Sequence, residues 1–87
     1  MLNFVTIKDV KEALGNWCKL ERQRHQLTQS ELAEILGMSR YTIQKFETGN
    51  NATLDTALKI AHHFDALDPL YKALKQQNDQ NQTDSLY

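Results

Sequence analysis

The sequence predicts an all-α fold of five helices, preceded by a short extended N-terminus and followed by a polar tail. Three observations point there. Apolar residues recur at three- and four-residue spacing along most of the chain, the mark of helices with one buried face. Four of these stretches open on a capping residue, namely Thr28, Ser39, Thr53 and Asp68. Between Thr28 and Glu47 two of them stand back to back with only Gly37, Met38 and Ser39 between, too short a link for anything but an angled helix pair. Residues 1–75 read as one domain and residues 76–87 as a disordered polar tail.

In chain order, residues 1–7 (MLNFVTI) are apolar and β-favouring and too short to form a domain. They are either a docked or frayed end, or a short strand that pairs with a second subunit. A helix is expected from about Lys8 to His25, with Val10, Leu14, Trp17 and Cys18 at helical spacing. Gly15 inside it costs ~1 kcal/mol of helix propensity.

The next helix starts at Thr28, with Glu31 three residues on as its capping-box partner. Leu32, Ile35 and Leu36 give it a stripe, and it stops at Gly37. Ser39 caps the third helix, where Ile43 and Phe46 face inward and Arg40, Tyr41, Gln44 and Lys45 lie outside that face. Ala33 supplies the small side chain needed where the two helices cross. The pair is a helix-turn-helix.

After Glu47 the segment TGNNAT is a loop, because Gly49, Asn50 and Asn51 are turn formers. Thr53 caps a fourth helix with Leu54, Ala57, Leu58, Ala61 and Phe64 as its stripe. His62 and His63 are adjacent, point about 100° apart on a helix and cannot share a metal. A short fifth helix follows near Asp68-Pro69, with Leu67, Leu70, Tyr71 and Leu74 as its stripe. From Gln76 the chain is polar up to Leu86 and is either an idle tail or a segment that folds on a partner.

The segment TQSELAEILGMSRYTIQKFETGN resembles the DNA-binding domains of the Cro/phage-repressor (XRE) helix-turn-helix family, over roughly residues 14–64. The resemblance implies a Cro/repressor-like domain whose second motif helix enters the major groove of double-stranded DNA. It implies base reading by Arg40, Tyr41 and Lys45, and a phosphate contact by Gln29. It also implies an ion pair between Arg22 and Glu47, the acid that ends the recognition helix; a phosphate contact by Arg22 is the alternative. Ser39, Thr42 and Gln44 complete the expected DNA-facing set on that helix, and Asn50 and Asn51 join Thr53 as loop contacts to phosphate.

The flanks FVTIKDVKEALGNWCKLERQ and NATLDTALKIAHHFDALDPLYKAL resemble HipB-type antitoxins, which pair with HipA-type kinase toxins. That likeness implies a homodimer on a palindromic operator of its own operon and a toxin partner. It breaks down at DPLYKALKQQ, which reads as helix where the best-known members have a strand shared between subunits.

Charge and composition narrow the function classes. The net charge is −1, but residues 19–45 carry five positive charges against three negative, while residues 46–87 carry three against six. The excess lies on the motif, and so small an excess favours a dimer spanning two half-sites. No apolar run approaches membrane-spanning length and no secretory signal is evident, so a cytoplasmic, nucleoid-associated protein is expected. Cys18 is the single cysteine, which excludes an internal disulfide and a cysteine zinc site. No metal-ligand spacing, phosphate-cradling glycine loop or nucleophile–base pair is present, so neither enzymatic activity nor a cofactor is expected. Besides an antitoxin that represses its own promoter, the residues allow a stand-alone or prophage regulator without a toxin. They also allow a neutraliser that binds protein only.

Overall fold

The structure is a computed structural model that describes residues 4–50 and 53–85, with the backbone course alone for 82–85. The helices are α1 (Ile7–Arg24), α2 (Gln29–Leu36), α3 (Arg40–Glu47), α4 (Leu54–His63) and α5 (Leu67–Ser85), with no strand among the described residues. Phe4, Val5 and Thr6 precede α1 and are exposed, Thr6 with extended backbone, and Met1–Asn3 lie outside the described residues.

Each of the first four helices starts on a hydroxyl cap. Thr6 and Asp9 form a reciprocal capping box for α1, with both bonds at 3.0 Å. The first helix therefore begins one residue earlier than the expected Lys8, because Asp9 serves at the third position as a glutamate would. Thr28 and Glu31 form the same box on α2, Ser39 accepts from the Thr42 N–H on α3, and Thr53 accepts from the Thr56 N–H on α4. Gly37 ends α2 in the left-handed conformation at φ 68°, as a stop between two closely spaced helices requires.

Helix α3 packs on both α1 and α2, α4 closes the core from α2's side, and α5 lies on α4. The core comprises Cys18 from α1, Leu32 and Ala33 from α2, Ile43 and Phe46 from α3, and Ile60 and Phe64 at the end of α4. Trp17, Leu27, Leu36, Met38 and Ala57 pack around it. Leu27 and Met38 each precede a cap residue, and Leu32 and Ile43 sit four residues into the following helices. These are staple positions that fix the angle at which the chain enters each helix.

Four stripes differ from expectation. Val10 and Leu14 on α1, and Leu70, Tyr71 and Leu74 on α5, remain exposed. On α4 the buried face runs through Ile60, Ala61 and Phe64, while Leu54 and Leu58 remain exposed. On α2, Ile35 is 53% exposed. The α2 and α4 helices are eight and ten residues long, so each buries only about two turns' worth of one narrow stripe, and its flanks stay outside.

The largest difference is in α5. It continues through Ser85, over the stretch expected to be a disordered tail from Gln76. That stretch contains no glycine or proline, and Lys72–Asp68 and Lys75–Asp79 pair one turn apart at 2.9 and 3.5 Å. No helix among the described residues is long and apolar enough to cross a membrane.

Candidate nucleic-acid interface

The recognition-helix candidate α3 is held from beneath by a polar cluster around one carboxylate. Glu47, its last residue, accepts from Arg22 Nε at 2.6 Å and Arg22 Nη2 at 3.0 Å, and from Gln29 Nε2 at 3.0 Å. Cys18 Sγ donates to it at 3.7 Å. Arg22 also donates through Nη1 to the Leu27 carbonyl at 2.9 Å, so one guanidinium ties together α1, the α1–α2 turn and the end of α3. The side chains of Arg22 and Glu47 are only 11% and 4% exposed.

The titration behaviour follows from this geometry. Burial pushes the Glu47 carboxyl up, but the Arg22 and Gln29 hydrogen bonds and the guanidinium charge together hold it below the usual carboxylate range. The bond to Glu47 raises Arg22 further. Burial, with the Glu47 charge beside it, pushes the Cys18 thiol up to about 12. No buried side-chain nitrogen or oxygen among the described residues lacks a partner.

Gly15 supplies the remaining part of the clamp. A Cβ there would run into the Phe46 carbonyl oxygen and come within 2.7 Å of the Glu47 carbonyl oxygen. The backbone of α1 therefore lies directly against the C-terminal end of α3, and only glycine permits that approach. In the sequence Gly15 looks like a cost to helix propensity; its packing role depends on a partner 31 positions away.

Above this base the other side of α3 is open. Arg40, Tyr41 and Gln44 are exposed, and Arg40 forms no ion pair with the described residues. Ser39 is exposed at the cap, its hydroxyl 2.9 Å from that of Thr42, which is half-buried. The Lys45 ammonium lies 5.1 Å from the centre of the Tyr41 ring, a cation–π contact one turn apart that holds both side chains on the same face. Asn50 is exposed in the following loop and donates to the Thr48 hydroxyl at 3.1 Å. Asn51 lies outside the described residues. Thr53 is occupied as the α4 cap, bonded to Thr56. Gln29 faces inward with its NH2 bonded to Glu47, so of the expected DNA-facing set it alone is built into the clamp.

Pairing also redistributes the charge. Arg22 is neutralised by Glu47, and Arg24 by Glu21 at 2.7 Å. The positive charge left on residues 19–45 is that of Lys19, Arg40 and Lys45, two of them on α3. No group of three or more His, Cys, Asp or Glu among the described residues is placed to hold a metal ion.

The arrangement is a short helix rigidly based at its C-terminal end and open along its N-terminal half, with forked, amide and aromatic donors in a row. Residues 19–72, more than half of the chain, match the family model described as Helix-turn-helix. The chain belongs to the XRE-type helix-turn-helix family.

Among curated relatives, a protein of Methanoculleus marisnigri, named provisionally as an HTH-type transcriptional regulatory protein, is 38% identical over 61 residues, 70% of this chain and 19% of its own length. A protein of the same provisional name from Methanocella arvoryzae is 47% identical over 52 residues, 60% of this chain and 16% of its own length. Antitoxin HipB of Escherichia coli is 48% identical over 48 residues, 54% of each chain. The matched part thus spans less than a fifth of the archaeal proteins and about half of HipB.

Proposed function

We propose that this chain is a sequence-specific DNA-binding transcriptional repressor that acts as a homodimer on a palindromic operator. It is further proposed to be the antitoxin of a HipA-type kinase toxin–antitoxin operon whose promoter it represses. The observation that carries the DNA-binding proposal is the two-sidedness of α3. Its inner face is locked by Ile43, Phe46 and Glu47, while Arg40, Tyr41 and Gln44 are exposed and aligned. A helix so fixed can place its N-terminal residues against base edges in the major groove with little loss of backbone freedom.

In this mechanism Arg40 forks onto the two acceptors of a guanine, a contact worth ~1–3 kcal/mol of discrimination. Gln44 pairs in the same way with adenine. Tyr41, its ring steadied by Lys45, meets a thymine methyl or a phosphate, and Lys45 adds charge along the backbone. Ser39, Thr42, Asn50 and Asn51 donate to phosphate oxygens and fix the register. Gln29 acts through Glu47, holding the N-terminus of α2 against the end of α3, and the second N–H of its amide is left to donate to a phosphate. Such a protein works in the cytoplasm on the nucleoid.

Support for the antitoxin role comes from the similarity to Antitoxin HipB. The archaeal relatives, named only as regulators, favour a second reading, a transcriptional regulator without a toxin. Two measurements separate the proposals. Fluorescence anisotropy of the chain with DNA from upstream of its own gene, against a scrambled duplex at two salt concentrations, should show tighter, salt-sensitive binding to the upstream DNA; equal weak binding to both contradicts sequence-specific repression. Co-expression with the product of the adjacent reading frame should give a stable complex that lowers that product's kinase activity, and no complex leaves the regulator without a toxin.

A further inference from the structure

Ion pairing sorts the cations of this chain by helix. On α4 and α5 every lysine has a carboxylate one turn away, Lys59 with Asp55, Lys72 with Asp68 and Lys75 with Asp79. Arg22 and Arg24 are paired as described above. The cations left without a carboxylate partner among the described residues are Lys8, Lys11 and Lys19 on α1, and Arg40 and Lys45 on α3. Two of them, Lys8 and Lys11, precede residue 19, where the family match begins.

Their place is set by the next turn of α1. Glu12 lies against the loop after α3, since a Cβ on Gly49 would come within 3.3 Å of the Glu12 backbone nitrogen and Cα. Gly15 lies against the Phe46 and Glu47 carbonyls at the end of α3. Residues four apart share one face of a helix. Lys8 therefore stands one turn before Glu12 and Lys11 one turn before Gly15, on the face that rests on α3 and its loop. Leu14 and Trp17 occupy another side of α1, toward Ala61, Ala66 and Leu70.

We infer that Lys8 and Lys11 bind backbone phosphates of the same duplex that α3 reads, so that the first two turns of α1 form a second, sequence-independent contact strip. This rests on the DNA-binding proposal and extends it to a part of the chain outside the family match. Lys11 is half-buried, so its stem is partly covered by the protein while its charge has no carboxylate partner. A point charge held in that way suits a phosphate oxygen. Of the neighbouring acids, Asp9 is occupied by the Thr6 N–H at 3.0 Å, and the Glu12 stem lies against Gly49. The loop beside the strip carries Asn50, itself proposed to contact phosphate. Arg40 and Lys45 are the only unpaired cations on α3, so Lys8 and Lys11 double the charge available to displace counterions.

The test is the salt dependence of fluorescence anisotropy with the upstream and scrambled duplexes. Each lysine that neutralises one phosphate adds ~0.9 to the steepness of log affinity against log salt. Lys8→Gln combined with Lys11→Gln should reduce that slope by about 2 for each protomer bound, weaken both duplexes by a similar factor and leave the ratio between them unchanged. Lys8→Arg combined with Lys11→Arg should keep the slope. Lys72→Gln combined with Lys75→Gln removes the same charge from α5 and should also keep it.

An unchanged slope in the first pair, a loss in the arginine pair, or an equal loss in the α5 pair overturns the assignment while leaving DNA binding by α3 in place. An unsubstituted chain that binds neither duplex overturns the DNA-binding proposal and this inference with it. Should the first pair lose helical content by far-UV circular dichroism, acetylation of the unsubstituted chain gives the answer. Bound to the upstream duplex, Lys8 and Lys11 should be protected from the reagent while Lys72 and Lys75 are not, and equal labelling of all four overturns the assignment.

Discussion

Helices α2 and α3 are eight residues each and α5 is nineteen, yet the short pair is fixed on several sides while the long one is exposed along most of its length. The pair has hydroxyl caps at both starts, a glycine stop, four of the core side chains and a buried ion pair at its end. Helix α5 lies on α4 through a few apolar side chains near its start and continues on helix propensity and single-turn ion pairs. Helices this short are not stable alone, so α2 and α3 exist because the rest of the domain fixes them, and their orientation is correspondingly exact in its demands on packing. The difference shows where this sequence concentrates its constraints, beneath the helix that presents Arg40.

The hardest blow to the short pair should come from Glu47→Ala. It leaves Arg22 buried without its carboxylate and removes the acceptor of Gln29, at a cost of ~3–5 kcal/mol in urea unfolding. The double replacement Arg22→Met with Glu47→Leu should lose less than either single alanine change, because no charge is then stranded. Equal and additive losses would mean that the two side chains do not act as a pair.

Gly15→Ala comes next. Helix propensity alone favours alanine by ~1 kcal/mol, so a substitution governed by α1 in isolation would stabilise the domain. Because the new Cβ meets two backbone carbonyls of α3, we expect instead a net loss of ~1–3 kcal/mol by urea unfolding. Any gain in stability would contradict the close approach of α1 to α3.

The buried cluster also sets a pH signature on both sides of neutrality. The Glu47 carboxyl titrates lower in the folded chain than in the unfolded one, so its contribution is present above the ordinary value of 4.5 and is lost as pH falls through the lowered one. The Cys18 thiol is raised from 9.0 to about 12, so the unfolded chain releases that proton first and stability declines as pH rises between the two values. Urea midpoints should therefore drop at both ends. Glu47→Gln should flatten the acid limb and Cys18→Ala the alkaline one, after allowance for each variant's lower stability at neutral pH. The native thiol should also resist alkylating reagents until the domain unfolds.

Much of this fold could be read from the chain, and the exceptions share a cause. Thr28, Glu31, Gly37 and Ser39 marked the helix boundaries because caps and stops are local chemistry acting over three or four residues. Gly15 and Cys18 were legible only as residues of α1, since their roles depend on contact with Phe46 and Glu47 far along the chain. Ile60 was hidden because Leu54 and Leu58 offered an equally regular stripe on the same short helix, and only packing decides which stripe turns inward. On the candidate interface, spacing could place Arg40, Tyr41 and Gln44 outside the core. It could not show that Gln29 is held by Glu47, or that Lys45 lies over the Tyr41 ring.

The smallest effect should be on α5. Asn78→Gly removes ~0.3–0.5 kcal/mol of local helix preference from a part of the helix that is exposed. Far-UV circular dichroism should lose intensity while the urea midpoint of the domain moves by less than ~0.5 kcal/mol equivalent. A larger shift would show that the distal half of α5 supports the core.

The most direct test of the central claim, that α3 is fixed on one side in order to read DNA with the other, is Arg40→Ala measured in two ways on the same preparation. Urea unfolding should be unchanged, because Arg40 is exposed and has no ion pair with the described residues. Anisotropy should show the preference for upstream over scrambled DNA reduced by ~10- to 100-fold. Unchanged preference with unchanged stability would contradict the claim, and would leave the helix-turn-helix as a scaffold for a protein partner.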